Sequence, residues 1–125
     1  MKIILPVAGK GTRLRPLTFT KPKSLVRVAG KTVLQHVIDS LKKLKIEEFI
    51  IITDENGQII QRYIEKHYPE LKAVYIQQSE LLGPAHAVSL ASERINEGDD
   101  VLVVFNDTLF VTDLTRIPIL CQGLD

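Results

Sequence analysis

Four short apolar runs constrain the fold of this chain more than any other feature of its sequence. They cover residues 3–7, 49–52, 73–76 and 101–105, and each is rich in the β-branched or aromatic residues that suit buried strands. Because the runs are apolar throughout instead of alternating with polar residues, each predicted strand has both faces buried. A parallel sheet that is covered by helices on both sides meets this requirement.

Helical patterns lie between the apolar runs. The first places Val33, Leu34, Val37, Ile38 and Leu41 on one helical face, the second does the same for Ile59, Ile60, Tyr63 and Ile64, and a third, Ala-rich pattern covers residues 84–95. Strands and helices therefore alternate along the chain. The sequence predicts one α/β domain over residues 1–125, with a doubly wound, Rossmann-like parallel sheet and helices on both faces.

Cysteine content and hydropathy narrow the setting in which the chain works. Cys121 has no second cysteine with which to form an internal disulfide, and Pro6 interrupts the apolar start before it reaches the length of a signal-peptide core. No apolar run approaches the roughly 18 residues that span a bilayer. We therefore expect a cytoplasmic protein without a membrane segment.

Charge is distributed unequally between the two parts of the chain. Residues 1–38 contain eight Lys and Arg residues and no acid, so this third carries +8 while residues 39–125 carry −7. Such a segment attracts an anion, although a solvated basic loop would have the same composition. Nucleic acid is a poor candidate for that anion, because Phe19 is the only aromatic residue available there for base stacking.

A long loop rich in Gly, Pro and Thr, residues 9–30, follows the first predicted strand. Ligands of doubly wound sheets bind at the carboxyl ends of strands, where this loop begins and where Asp107 ends the fourth strand. In Gly9-Lys10-Gly11-Thr12-Arg13 the glycines would let backbone N–H groups approach phosphate oxygens, although a tight structural turn would use them as well. Leu14 excludes the dinucleotide fingerprint, and Leu25 excludes a Walker loop.

The complete run from Pro6 to Thr18, followed by Lys21-Pro22-Lys23 and Val28-Ala29-Gly30-Lys31, is long and specific. It resembles the signature of sugar-1-phosphate nucleotidyltransferases, and its spacing is closer to the glucose-1-phosphate thymidylyl- and uridylyltransferases than to the acetylglucosamine enzymes. The resemblance implies that a nucleoside triphosphate and a sugar 1-phosphate are the substrates. Residues 1–125 would then form the nucleotide-binding portion of the enzyme's domain, without its acceptor half.

The resemblance also assigns roles within the first loop. Ala8 and Gly9 would meet the base or ribose through backbone groups, and Gly11, Thr12 and Arg13 would hold the phosphates. Lys23 would bridge the α-phosphate and the sugar phosphate. Arg13 and Lys23 would thus be the catalytic residues.

Two later segments are similar to parts of the same family. Gln78 and Gly83 occupy the positions that read the base edge, although Gly83-Pro84 is also a typical helix start. Many family members carry Thr where Pro84 stands. Asn106-Asp107 stands where the family usually has Gly-Asp. By this resemblance Asp107 would bind Mg²⁺, and Asn106 would add a side chain near the ribose. Without the resemblance, an Asp after a strand is more often a helix cap or turn former.

The implied reaction needs no side-chain nucleophile. A sugar phosphate is largely dianionic at neutral pH and can attack the α-phosphorus directly, while Mg²⁺, Arg13 and Lys23 neutralise charge. Alternatives that stay open are a non-catalytic nucleotide-binding or regulatory module, a truncated fragment of the enzyme, and a non-sugar acceptor such as phosphocholine. The sequence selects neither the base nor the sugar, and it leaves open a homo-oligomer.

Overall fold

The structure, a computed structural model, describes residues 1–9, 11, 15–16, 20–108 and 112–121. In chain order these residues form β1 (Lys2–Pro6), β2 (Arg27–Val28), β3 (Lys31–Thr32), α1 (Val33–Leu41), β4 (Glu48–Thr53), α2 (Gly57–His67), β5 (Ala73–Gln77), α3 (Pro84–Ser89), β6 (Val101–Val103) and α4 (Ile117–Cys121). Short 3₁₀ turns occupy Lys23–Leu25, Ser92–Arg94 and Leu114–Arg116.

The four predicted strands form one parallel sheet in the order β5-β4-β1-β6. Ile4 of β1 pairs with Ile50 of β4 on one side and with Val103 of β6 on the other. The order of the strands reverses between β1 and β6, which makes the gap between their carboxyl ends the topological switch point. The predicted parallel sheet is therefore confirmed.

Helices cover both faces of the sheet, as the doubly wound interpretation requires. On one face, Ile3 and Leu5 of β1 belong to a core with buried residues of α1 and α2. On the other face, Ile4, Ile50 and Ile52 form a smaller core with Ala87 and Ala91 at α3 and just beyond it. The strands β1 and β4 lie between these cores, which explains why their sequences are apolar throughout.

Two predicted elements differ in length from those observed. The third helix was predicted over residues 84–95, but α3 ends at Ser89 and a 3₁₀ turn follows at Ser92–Arg94. Here the bonds tighten to i→i−3 spacing, because the Ala91 N–H donates to the Val88 carbonyl at 3.0 Å. The fourth strand also stops early, at Val103, although the Val104 N–H still donates to the Ile4 carbonyl.

A small hairpin, β2–β3, lies within and just after the segment that was predicted as one long loop. Its turn residues Ala29 and Gly30 both have positive φ, 49° and 83°, as a two-residue hairpin turn of type I′ requires. The hairpin leads directly into α1, whose N-cap Thr32 forms a capping box with Gln35. The hairpin therefore joins the first loop to the helix that covers one face of the sheet.

No helix in the part of the chain that the structure describes is long and apolar enough to cross a membrane.

The buried hydroxyl of Ser24 gives a prediction about stability. Ser24 is 0% exposed, and its Oγ has no hydrogen-bond partner among the described residues. An unsatisfied buried polar group is destabilising, so Ser24→Ala should raise the free energy of unfolding by about 1 kcal/mol. Urea denaturation measures this change.

Ser40→Ala is the matched control, because the Ser40 Oγ donates to the Val37 carbonyl at 2.6 Å. That replacement should leave stability unchanged or lower it. A loss of stability in Ser24→Ala comparable to the loss in Ser40→Ala would contradict the assignment of Ser24 as unsatisfied.

Candidate functional site

A cavity of about 600 Å³ opens at the carboxyl ends of the strands, at the switch point between β1 and β6. Four segments form its walls: the end of β1 with the loop that follows, the 3₁₀ turn at Lys23–Leu25, the segment from β5 into α3, and the segment after β6. The lining residues are Pro6, Val7, Ala8, Gly9, Gly11, Lys23, Gln78, Leu81, Gly83, Pro84, Ala87, Phe105, Asn106 and Asp107. Its volume lies within the range that is usual for small-molecule sites.

The cavity brings together all the predicted site residues that the structure describes. These are Ala8, Gly9, Gly11, Lys23, Gln78, Gly83, Asn106 and Asp107. The other two, Thr12 and Arg13, lie outside the described residues. Segments about 100 residues apart in sequence therefore meet around one volume.

Hydrogen bonds to β4 hold the first loop where it leaves β1. The N–H groups of Val7 and Ala8 donate to the Ile52 carbonyl at 2.8 and 3.1 Å, and the Gly9 N–H donates to Asp54 Oδ2 at 3.1 Å. Gly9 has a φ of +146°, a conformation that side chains rarely adopt. The N–H groups of Ala8 and Gly9 are therefore both bonded within the protein, and these two residues would meet a ligand through their carbonyl groups.

This bonding limits which backbone groups could form a phosphate cradle. The glycine-rich pattern left open that the Gly9 N–H approaches a phosphate, but in the structure this N–H donates to Asp54. Cradle donors would therefore have to come from residues after Gly9. Of those, the structure describes Gly11, which lines the cavity.

Gln78 contributes a polar group of fixed orientation to the cavity wall. Its side chain is 4% exposed, and its backbone N–H donates to the Thr53 carbonyl at 2.7 Å. The side-chain Nε2 donates to the Gly83 carbonyl at 3.4 Å and lies 2.9 Å from His86 Nδ1. Since a carbonyl only accepts, Nε2 faces Gly83 and His86 Nδ1 is the acceptor in the second bond. These two bonds hold the Gln78 amide in one orientation in the cavity wall.

Gly83 and Pro84 also begin a helix, which was the simpler interpretation of this pair. Gly83 is the N-cap of α3 with a φ of 98°, and Pro84 occupies the first turn. Pro84 has no N–H to donate to a ligand. The helix start and the cavity wall are thus the same feature.

Lys23 and Asp107, which both line the cavity, form an ion pair. The Lys23 ammonium lies 3.7 Å from Asp107 Oδ2, and Asp107 is 57% exposed in the turn after β6. An exposed pair at this distance stabilises the fold by little. Its significance is positional, because it places a cation and a carboxylate at the mouth of one cavity.

The side chains at this position match a magnesium site that is completed by a ligand. Asp107 is the one carboxylate among the described residues that line the cavity, and the described part of the chain contains no cluster of three or more His, Cys, Asp or Glu residues. Mg²⁺ is typically held by one or two carboxylates together with substrate phosphates and water. Asp107 therefore fits a metal that binds together with a phosphate ester.

Two residues with contacts to the site were not singled out by sequence reasoning. Asp54, 45 positions from Gly9 in sequence, accepts the N–H of that loop residue, and His86, which was interpreted as structural, orients the Gln78 side chain. Their only sequence signal is position: Asp54 directly follows a strand, and His86 lies three residues after Gly83.

Fold and cavity together define a doubly wound α/β protein with a cavity at the carboxyl edge of its parallel sheet. The sequence model of the nucleotidyl transferase family matches residues 1–118. The chain therefore belongs to the nucleotidyl transferase family, and its resemblance to sugar-1-phosphate nucleotidyltransferases is confirmed.

Curated relatives and a solved structure agree with this family. The chain is 36% identical over 114 residues to the UTP–glucose-1-phosphate uridylyltransferase AglF of Haloferax volcanii, covering 91% of this chain and 46% of that protein. It is 34% identical to the mannose-1-phosphate guanylyltransferase catalytic subunit beta of Dictyostelium discoideum, covering 87% of this chain and 31% of that protein. The chain thus spans less than half of the length of either relative.

The solved structure is a UDP-glucose pyrophosphorylase from Acinetobacter baumanii. It superposes on 98% of this chain with a TM-score of 0.84 and 25% sequence identity, and the match covers 52% of that protein. The described sheet and helices therefore have the nucleotidyltransferase fold seen in that enzyme.

Proposed function

We propose that residues 1–125 form the nucleotide-binding portion of an enzyme that transfers a nucleoside monophosphate from a nucleoside triphosphate to a sugar 1-phosphate and releases pyrophosphate. Among sugar 1-phosphates, glucose 1-phosphate is the acceptor that we propose. The observation that carries this proposal is the convergence of eight residues, selected by resemblance to the family, around one cavity at the switch point.

The walls of the cavity suggest how a nucleoside triphosphate would lie. Gln78, with its fixed amide, and Gly83 would meet the base, and Ala8 lines the same cavity. Asn106 would lie near the ribose. The triphosphate would extend past Gly11 toward Lys23 and Asp107, where Thr12 and Arg13 are expected to contribute as well.

The proposed chemistry depends on positioning and charge. The dianionic phosphate of the sugar attacks the α-phosphorus in line, and the bond to the pyrophosphate leaving group breaks. Lys23 would neutralise charge that develops on the phosphates, and Asp107 would hold the magnesium. Magnesium, when bound, supplies further charge neutralisation on the phosphate oxygens.

Triphosphate binding tests this proposal through Lys23. In Lys23→Ala the affinity for the triphosphate should fall by about 1.5 to 3 kcal/mol, because a charge-assisted hydrogen bond to phosphate is lost. Arg13→Ala should have a similar effect. Titration calorimetry measures both.

Lys21→Ala is the matched control. Lys21 lies two residues before Lys23 and carries the same charge, but its side chain is exposed and does not line the cavity. The affinity of this variant should remain near that of the unmodified protein. Unchanged affinity in both Lys23→Ala and Arg13→Ala would rule out the proposed site.

Substrate identity needs a separate assay. Radiolabelled nucleoside triphosphates, incubated with a panel of sugar 1-phosphates and with phosphocholine, would identify the base and the acceptor. Triphosphate binding without transfer to any acceptor by the full-length protein would favour the non-catalytic nucleotide-binding module instead.

A further inference from the structure

We propose that Asp54 is a positioning residue for the phosphate loop, acting through Gly9 without touching the ligand. This inference rests on the proposed function, because it assumes that the loop after Gly9 binds a triphosphate. The structural observation is that Asp54, a buried carboxylate directly after β4, accepts the N–H of Gly9 in the loop that follows β1.

Both carboxylate oxygens of Asp54 accept backbone N–H groups from different elements. Oδ1 accepts from Asn56 at 2.8 Å and shapes the turn into α2, whereas Oδ2 accepts from Gly9 at 3.1 Å. Only 9% of Asp54 is exposed. Bonds to an ionised acceptor are stronger than bonds between neutral groups, and burial limits competition from water.

The bond to Gly9 goes beyond what a helix turn requires. The turn into α2 uses Oδ1 and the Asp54 carbonyl, which accepts the Gly57 N–H at 3.0 Å. A serine can make the same short-range turn through its hydroxyl. The second oxygen instead crosses to the neighbouring segment after β1, so a carboxylate performs a function there that a shorter side chain cannot.

Gly9 is the point at which this bond controls the direction of the chain. Its φ of +146° is accessible mainly to glycine. The two preceding residues, Val7 and Ala8, donate their N–H groups to the Ile52 carbonyl. The bond from Gly9 to Asp54 is the next hydrogen bond along the chain that ties this segment, which follows β1, to the end of β4. The bond from the Gly9 N–H to Asp54 therefore constrains the backbone at Gly9 itself.

The charge of Asp54 also argues for an indirect role. Asp54 does not line the cavity, and its two oxygens are occupied by N–H donors, so it is no candidate for direct contact with an anionic ligand. Its contribution would be to fix the Gly9 backbone before a triphosphate binds, so that binding does not have to order it.

The experiment uses Asp54→Ser in the full chain, because serine preserves the turn into α2 but is too short to reach Gly9. Calorimetry measures affinity for the tightest-binding triphosphate among UTP, dTTP, GTP, CTP and ATP, and for the nucleoside of the same base. We expect the triphosphate affinity to fall about tenfold and the nucleoside affinity to change less than about twofold. Asp54→Asn has one acceptor oxygen for the N–H groups of both Asn56 and Gly9, so it should lower the triphosphate affinity as well.

Asp113→Ser is the control, because Asp113 caps a 3₁₀ turn through the Thr115 N–H and does not line the cavity. It should leave both affinities unchanged. Amide hydrogen exchange adds a second measurement: the Gly9 N–H should be protected in the unmodified protein and lose protection in Asp54→Ser.

The outcomes separate this inference from the function on which it rests. Parallel loss of triphosphate and nucleoside affinity, or unchanged triphosphate affinity in Asp54→Ser, overturns the positioning role. Should Asp54→Ser not fold, an unprotected Gly9 N–H in the unmodified protein overturns it equally. If the unmodified protein binds no triphosphate, the proposed function fails first and this inference fails with it.

Discussion

Replacing Asp107 with asparagine is expected to remove nucleotide-dependent metal binding while leaving the fold intact. Asparagine keeps the shape of the side chain but loses the negative charge, and Asp107 is the one carboxylate among the described residues that line the cavity. A divalent ion and a unit charge about 4 Å apart interact by roughly 2 kcal/mol even in water, so affinity should fall at least about thirtyfold. Manganese-dependent relaxation of water protons, with and without the triphosphate, measures the loss.

Asp100→Asn is the matched control for this experiment. Asp100 directly precedes β6, at the opposite end of the strand from the cavity, and it is exposed. Its replacement changes the net charge equally and should leave metal binding unaffected. Circular dichroism should be unchanged in both variants, and retained metal binding in Asp107→Asn would move the role to another residue.

The ion pair between Lys23 and Asp107 would couple metal binding to nucleotide binding. Without ligand, the carboxylate of Asp107 is partly neutralised by the ammonium at 3.7 Å. A metal on Asp107 would compete with that ammonium, whereas an arriving triphosphate would offer both cations additional oxygens. We therefore expect metal and triphosphate to favour each other's binding, which is why the relaxation measurement compares both conditions.

Sequence patterns predicted the layers of this fold because burial leaves a clear periodicity. The central strands β1 and β4 are apolar on both faces, and α1 and α2 are apolar on one. The position of β6 at the edge of the described sheet could not be predicted in this way. Val101 and Val103 are partly exposed there, and a short apolar run reads alike for a central strand and an edge strand.

The hairpin β2–β3 was missed because its local signals are weak. Each strand has two residues, too few to show alternation. Its turn places Ala29 in the left-handed region, where Asn or Asp before Gly would have been the recognisable signal. The tertiary structure around the first loop therefore tolerates a residue that the turn itself does not favour.

The candidate site was predictable only in part, because motifs identify lining residues better than residues that orient them. Ala8, Gln78 and Asp107 were selected by resemblance and line the same cavity. Asp54 is hydrogen-bonded to Gly9 and His86 to Gln78, and such pairing depends on three-dimensional packing. An Asp after a strand has the same local sequence whether it only caps a turn or also holds a distant loop.

A polypeptide of residues 1–125 is expected to bind the nucleoside triphosphate and yet turn over at close to the background rate. These residues span 46% of the length of the Haloferax volcanii relative, and the family resemblance implies that the sugar-binding residues and a second aspartate for the metal lie in the other half. An acceptor that is not held cannot be aligned with the α-phosphorus. Positioning accounts for roughly 7 to 11 kcal/mol of such a barrier, so turnover should fall by more than about five orders of magnitude relative to an enzyme with both halves.

Pyrophosphate release, measured with and without sugar 1-phosphate, tests this expectation on the purified polypeptide. Calorimetry on the same sample must show triphosphate binding, since a polypeptide that does not bind the donor would be inactive for another reason. Light scattering establishes whether the sample is a monomer, because a second copy could supply acceptor contacts from its own surface. Rapid, sugar-dependent pyrophosphate release from a monomer would mean that residues 1–125 align the acceptor by themselves, and the assignment of the acceptor site to the other half would be wrong.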